Sequence, residues 1–310
     1  MKKGKGGRDN GMDWLTRMNG ALEYIEGNLA GEIDYNRAAE IACCSVYHLQ
    51  RMFSFMVDIP LSEYIRRRRL TLAAFELQHS AIKIIDLGMK FGYDSPEAFA
   101  RAFQKLHGVP PTLARQKGTA LKSYPRLSFH ITIRGAIEMN YKIIEHEAFT
   151  VFGVEELFSM ENGENLIGIP QMWQRLFQDG TVDRISLASG RQWNESSRGI
   201  CPVNAVMCYG EGQSGKFPYM IFGFMPESGE VDTETYKVLD IPAATYAIFK
   251  SEEYTPDQLV GQIQGLWKRI YTEWFPMASY EPQNGPQFEM YGVAESGKEY
   301  CEVWIPVRSK

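Results

Sequence analysis

A chain of 310 residues, 44% hydrophobic and 23% charged, carries enough apolar material for two or three packed domains. It has no run of about 18 apolar residues, so no membrane-spanning helix is expected. Its five cysteines (Cys43, Cys44, Cys201, Cys208, Cys301) show no CxxC spacing, which argues against a zinc site or a disulfide framework and for a reducing cytoplasm. The formal charge of −5 hides an imbalance. Residues 1–125 hold 18 Lys and Arg against 13 Asp and Glu, a net of +5, and residues 126–310 hold 15 against 25, a net of −10. The basic half is the one expected to meet a polyanion.

Residues 1–11 are basic, lack an apolar segment and read as a disordered tail. Helices follow. In MDWLTRMNGALEYIEGNL, residues Trp14, Leu15, Met18, Ala21, Leu22, Ile25 and Leu29 recur at helical spacing. YNRAAEIACCSVYHLQRMFSFM divides into two short helices, with Ser45 as N-cap of the second. There Leu49 and Phe53 point inward, while Tyr47, Gln50, Arg51 and Ser54 share the opposite face. PLSEYIRRRRLTLAAFELQHS is one long helix that buries Ile65, Leu72, Ala73 and Leu77 and carries a block of charge at Arg66 to Arg69. The short helix, turn, short helix pattern then returns in KIIDLGMKFGYDSPEAFARAFQKLHG, with the turn at Gly92. The second copy ends in a helix whose Ala98, Phe99, Ala102, Phe103 and Leu106 form an inward stripe and whose Glu97 and Arg101 face out. A helix–turn–helix buries one face of its second helix and offers the other to the DNA major groove. Arginine can grip a guanine edge through two hydrogen bonds, and glutamate can accept from a cytosine amine. The duplicated unit with matched arginines, Arg51 and Arg101, therefore points to DNA.

The stretches SVYHLQRMFSFMVDIPLSEYIRRRRLTLAAFELQ and IIDLGMKFGYDSPEAFARAFQKLHGVPP resemble the double helix–turn–helix domain of AraC/XylS-type transcription regulators. The resemblance implies an all-α DNA-binding domain over residues 12–119. It also implies contacts from positions matching Tyr47, His48, Gln50 and Arg51 in the first recognition helix, just after the cap Ser45, and Pro96, Glu97, Ala98 and Arg101 in the second. Many family members are polar where this chain has Pro96, Glu97 and Ala98, so its second helix is expected to lean on Arg101, on contact of Ala98 with a thymine methyl, and on phosphates. The partner implied is double-stranded DNA, read in two adjacent turns of the major groove, and RNA polymerase is a further candidate partner for a chain bound at a promoter.

The composition changes near residue 125. A linker and entry strand are expected over 120–138, then strand-like runs, SFHITI, YKIIEHEAFTVFGVEE, NAVMCYG, FPYMIFGFM, TYAIFKS, QFEMYGV and YCEVWIPV, with helices at about 167–178 and 256–274. The segment repeats internally: YKIIE at 141 matches YKVLD at 236, WQRLF at 173 matches WKRIY at 267, and MCYG at 207 matches EMYG at 289. Each half reads as strand, helix, strand, strand, and two such halves should pack about a pseudo-twofold axis with a cleft between them. Alternation puts Glu302 with Trp304 on one strand face and Glu289 with Tyr291 on one face of another. Acids beside aromatic residues suit a pocket for a cation, the rings supplying area and cation–π attraction.

On IPAATYAIFKS, LWKRIYTEWFP, the FEMY run and EVWIPV, residues 139–310 resemble the GyrI-like effector-binding domain, an α+β tandem-repeat fold found in multidrug-sensing regulators. That resemblance implies a small aromatic or cationic effector held by Glu289 with Glu302 as a second acid, and aromatic walls drawn from Trp173, Phe177, Phe224, Trp267, Tyr291 and Trp304. Hydrolysis of a reactive small molecule and a ligand-free protein-interaction module remain the alternatives for this half. The sequence holds no Ser/His/Asp set, phosphate loop or metal-ligand spacing among its five histidines, so neither a cofactor nor an enzymatic role is expected.

Overall fold

A computed structural model describes residues 14–130, 138–160, 163–191, 193–194, 196–210, 216–227 and 230–310. The expected tail at 1–11 lies outside them, as does residues 131–133 of the SFHITI run. The described part of that run is no strand: Phe129 exchanges backbone hydrogen bonds with the Asn19 side chain instead of joining a sheet.

Among the described residues, seven helices build the N-terminal region: α1 Trp14–Gly27, α2 Tyr35–Ile41, α3 Val46–Val57, α4 Leu61–His79, α5 Ile84–Lys90, α6 Pro96–His107 and α7 Pro111–Ala114. Local chemistry sets their ends. Asp34, Ser45 and Ser95 accept backbone N–H groups at the starts of α2, α3 and α6, Pro96 occupies the first turn of α6, and Gly108 ends it with φ 82°. Gly92 makes the turn between α5 and α6 at φ +77°, and a Cβ there would lie 2.7 Å from the Arg69 guanidinium. The arginine block is not a solvated run. Arg68 is buried against Glu26 and the Tyr124 carbonyl, Arg69 binds the Leu29 and Gly31 carbonyls, and Arg66 and Arg67 share Glu63.

The C-terminal region places β1 Asn140–His146, β2 Phe149–Ser159, β4 Val203–Met207, β5 Lys216–Phe224, β6 Lys237–Ile241, β7 Ala244–Lys250, β9 Gln287–Val293 and β10 Glu299–Ser309 in the order β1-β7-β10-β9-β4-β5-β2-β6. Short strands β3 Gly199–Ile200 and β8 Tyr280–Pro282 add to β9 and β10. The order reads the same from both ends once each strand is exchanged for its counterpart in the other half, as the sequence repeat requires. Among the described residues each half has two strands more than the sequence pattern suggested, one of them a short one (β3 or β8). YKIIEHEAFTVFGVEE is not one strand but two, broken after His146; β1 pairs with β7 of the second half and β2 with β5 and β6. Helices α8 Glu164–Gln178 and α9 Thr181–Ala188 belong to the first half. Helix α10 Leu259–Arg269, continued by a π-turn at Ile270–Trp274, belongs to the second.

The two helix–turn–helix units differ in what they pack against. The second has its own core of Leu70, Leu77, Leu87, Phe99, Phe103 and Leu106. The first shares one continuous core with the C-terminal region, in which Trp14, Met18, Leu49 and Phe53 join Trp267, Ile270, Tyr271, Phe275 and Val303. Trp14 lies edge-on to Tyr271 and Phe275, and Arg17 of α1 pairs with Glu281 of β8.

Candidate functional site

The second recognition helix matches the sequence expectation in outline. Phe99, Phe103 and Leu106 are buried, and Glu97 and Arg101 are exposed one turn apart. Pro96 and Ala98 are half-buried on the same helix. The face expected to meet a DNA groove is open to solvent at Glu97 and Arg101.

The first recognition helix differs. Leu49 and Phe53 point inward as expected, but the opposite face does not meet solvent. It lies on the C-terminal region. Tyr47 stacks on Phe217 with ring centroids 4.0 Å apart, His48 lies 3.0 Å from the Tyr271 hydroxyl, and Phe55 stacks on Trp267 at 5.5 Å. The Ser45 hydroxyl caps α3, and its backbone N–H donates to Asn284. Gln50 is half-buried. An outward face on a short helix does not reveal which later segment will cover it, so Tyr47, His48 and Arg51 could be placed on a face but not in an environment.

That covering surface is the rim of a cavity of about 620 Å³. Its floor is the sheet, with Glu289 and Tyr291 from β9 and Tyr219 from β5. Trp173 and Phe177 of α8 form one wall and Trp267 of α10 the other, and Tyr47, Arg51 and Phe55 of α3 close a third side. The Glu289 carboxylate is held by the ring N–H of Trp267 at 2.8 Å and by the hydroxyls of Tyr291 at 3.2 Å and Tyr219 at 3.4 Å. Burial raises both tyrosine hydroxyls well above 10, the nearby carboxylate adding to the effect, so they remain donors. Trp173 in turn donates to the Tyr219 oxygen at 3.0 Å.

Into this cage comes Arg51. Its guanidinium lies 3.9 Å above the Trp267 ring, donates to Gln287 at 3.0 Å and stands 3.5 Å from Glu289. The Arg51 and Glu289 side chains are 6% and 14% exposed. Removing one partner of a pair so buried costs about 3–5 kcal/mol, because the other charge is left uncompensated. Burial, then the neighbouring Arg51 cation, pushes the His48 imidazole down to about 3, so it is neutral here. Burial holds the Cys208 thiol beside Arg51 up at about 11, which leaves it unreactive.

Three expected pocket residues lie elsewhere. Glu302, Trp304 and Phe224 do not line the cavity. The register gives the reason: β9 pairs with β10 so that Val303 lies opposite Glu289 and Cys301 opposite Tyr291. Residues opposite one another share a face, so Glu302 and Trp304 emerge on the other side of the sheet. There Glu302 accepts the Trp304 indole N–H at 2.9 Å, and Trp304 and Phe224 pack with Phe288, Phe222 and Met220. Alternation orders one strand, but only pairing relates two. The same register would have identified Tyr219, which sequence reasoning missed. Arg51 had no such signal, because it reaches the cavity and its Gln287 partner across 236 residues of chain. Among the described residues no group of His, Cys, Asp or Glu could hold a metal ion, and no helix is long and apolar enough to cross a membrane.

Comparison with known proteins is consistent with this geometry. The sequence profile of the integron-associated effector binding protein family matches residues 142–307, and that of a helix–turn–helix domain matches residues 38–117. The HTH-type transcriptional activator AarP of Providencia stuartii is 41% identical over 98 residues, 32% of this chain and 73% of AarP. The transcriptional regulator Rob of Salmonella typhimurium is 34% identical over 105 residues, 34% of this chain but only 36% of Rob. A solved structure described as bound to tetraphenylphosphonium overlaps 55% of this chain and 94% of its own, at 22% identity and a TM-score of 0.41.

Proposed function

We infer that this chain, which belongs to the integron-associated effector-binding family through residues 142–307 and carries an AraC-type helix–turn–helix domain at residues 38–117, couples a small aromatic cation to DNA binding. It is a DNA-binding transcription regulator with an effector-binding domain. The ligand class is our proposal, and one observation carries it: a carboxylate, Glu289, held by neutral donors at the floor of a cavity walled by Trp173, Phe177, Trp267 and Tyr291. A neutral guest gains the aromatic contact but no attraction to the Glu289 carboxylate. A cation gains both, with cation–π attraction of about 2 kcal/mol in a desolvated site.

On the DNA side, Arg101 at the open face of α6 is the proposed guanine reader, with Glu97, Ala98 and Pro96 near it. α3, with Tyr47, His48, Gln50 and Arg51, is the proposed reader of the adjacent groove. Seated at a promoter, the chain would be placed to meet RNA polymerase. Calorimetric titration with tetraphenylphosphonium and a neutral aromatic compound of similar size tests the ligand class. Saturable binding of the cation alone is expected, at least tenfold weaker in Glu289→Gln. Equal binding of both compounds, unaffected by Glu289→Gln, would remove the basis for a cation site.

A further inference from the structure

The arginine that the DNA-binding domain offers for base contact is the same arginine that fills the cation position of the pocket. Arg51 stands 3.5 Å from Glu289 and 3.9 Å above Trp267, where a ligand cation would have to sit. Its neighbours on α3, Tyr47 and Phe55, are walls of the same cavity. The face of α3 that enters a major groove is therefore the face that closes the pocket, and it cannot do both at once. α6, which packs in a separate core, is under no such constraint.

We propose that Arg51 is an internal stand-in for the effector: without ligand it docks α3 into the pocket and hides the first recognition helix, and a guanidinium-like or other aromatic cation displaces it and frees α3 for DNA. This rests on the reading of Glu289 as a cation site and of α3 as a DNA reader. The device needs no long relay, because the two sites share Arg51. It also sets the ligand chemistry more narrowly than an aromatic cage alone would. The ligand must put a cation over Trp267 beside Glu289, and the Gln287 oxygen that Arg51 now occupies favours one with an N–H donor. A ligand that binds only the undocked state shifts the balance toward it by its full differential affinity.

The test is selection of bound duplexes from a random pool by the full chain, with the enriched sequences read out. The wild type alone should enrich a single short block, read by α6. The wild type with saturating benzylguanidinium, and Glu289→Gln with no addition, should enrich two blocks about one helical turn apart. Two blocks from the wild type alone, or one block from Glu289→Gln, would overturn the proposal. If Glu289→Gln does not fold, Arg51→Met decides: with the internal competitor gone, benzylguanidinium should bind at least tenfold tighter by calorimetry than to the wild type, and unchanged affinity would refute displacement. If benzylguanidinium binds no form of the protein, the cation reading fails, and the contrast between wild type and Glu289→Gln in the selection still decides whether α3 is hidden.

Discussion

Two glutamates on adjacent strands show how much a side chain's meaning depends on the face it occupies. Glu289 meets three neutral donors and a guanidinium in a cavity, whereas Glu302, 7% exposed, meets the Trp304 indole on the far side of the sheet. Glu302→Gln should therefore change cation affinity less than twofold by calorimetry, while Glu289→Gln lowers it at least tenfold. His48 gives a second test at the same interface. Its ordinary value is 6.5 and it is held at about 3, facing Arg51 on its own helix, Tyr271 on the π-turn, and the uncharged Gln287 and Asn284. Between those values the released imidazole binds a proton that the docked one does not. Docking of α3 thus strengthens as pH rises toward 6.5 and weakens as pH falls below it, by up to about 1.4 kcal/mol per pH unit. Amide exchange of residues 46–57, corrected for its intrinsic pH dependence, should show larger opening at pH 5 than at pH 7.5 in the wild type and no such difference in His48→Gln.

Helices and their caps were legible in the sequence because their causes are local. The stripe of Phe99, Phe103 and Leu106, the cap at Ser95 and the stop at Gly108 lie within one short segment, and all appear as expected. Gly92 is equally local. Its φ of +77° and the nearness of the Arg69 guanidinium predict that Gly92→Ala lowers stability by about 1 kcal/mol or more, read from a thermal melt. Strands were legible as runs but not as neighbours. The internal repeat implied the symmetry of the sheet, yet the break after His146 and the offset between β9 and β10 depend on partners far along the chain. That is why the alternation on β9 left Glu289 and Tyr291 with Trp173, Phe177 and Trp267 in one cavity, while Glu302, Trp304 and Phe224 lie on the other side of the sheet. On the DNA side, Arg101→Ala should cost about 1–3 kcal/mol at the preferred site and relax base choice at one position. A uniform loss across all sequences, seen in a competition assay with variant duplexes, would make Arg101 a phosphate contact instead.

The asymmetry between the two helix–turn–helix units has no counterpart in the sequence, where they look alike. One keeps a core of its own, and the other is fused by Trp14, Phe53, Trp267 and Tyr271 to the domain that carries the pocket. On the proposal above, the ligand site lies at the joint between sensing and reading, and a ligand there would act on α3 by contact. The measurement that bears on this most directly is the affinity of the full chain for a duplex selected in the presence of cation, taken with and without saturating tetraphenylphosphonium. The coupling predicts at least tenfold tighter duplex binding with the cation, and by reciprocity the same factor in cation affinity when duplex is bound. Equal duplex affinities under the two conditions, with calorimetry showing the pocket filled, would contradict it.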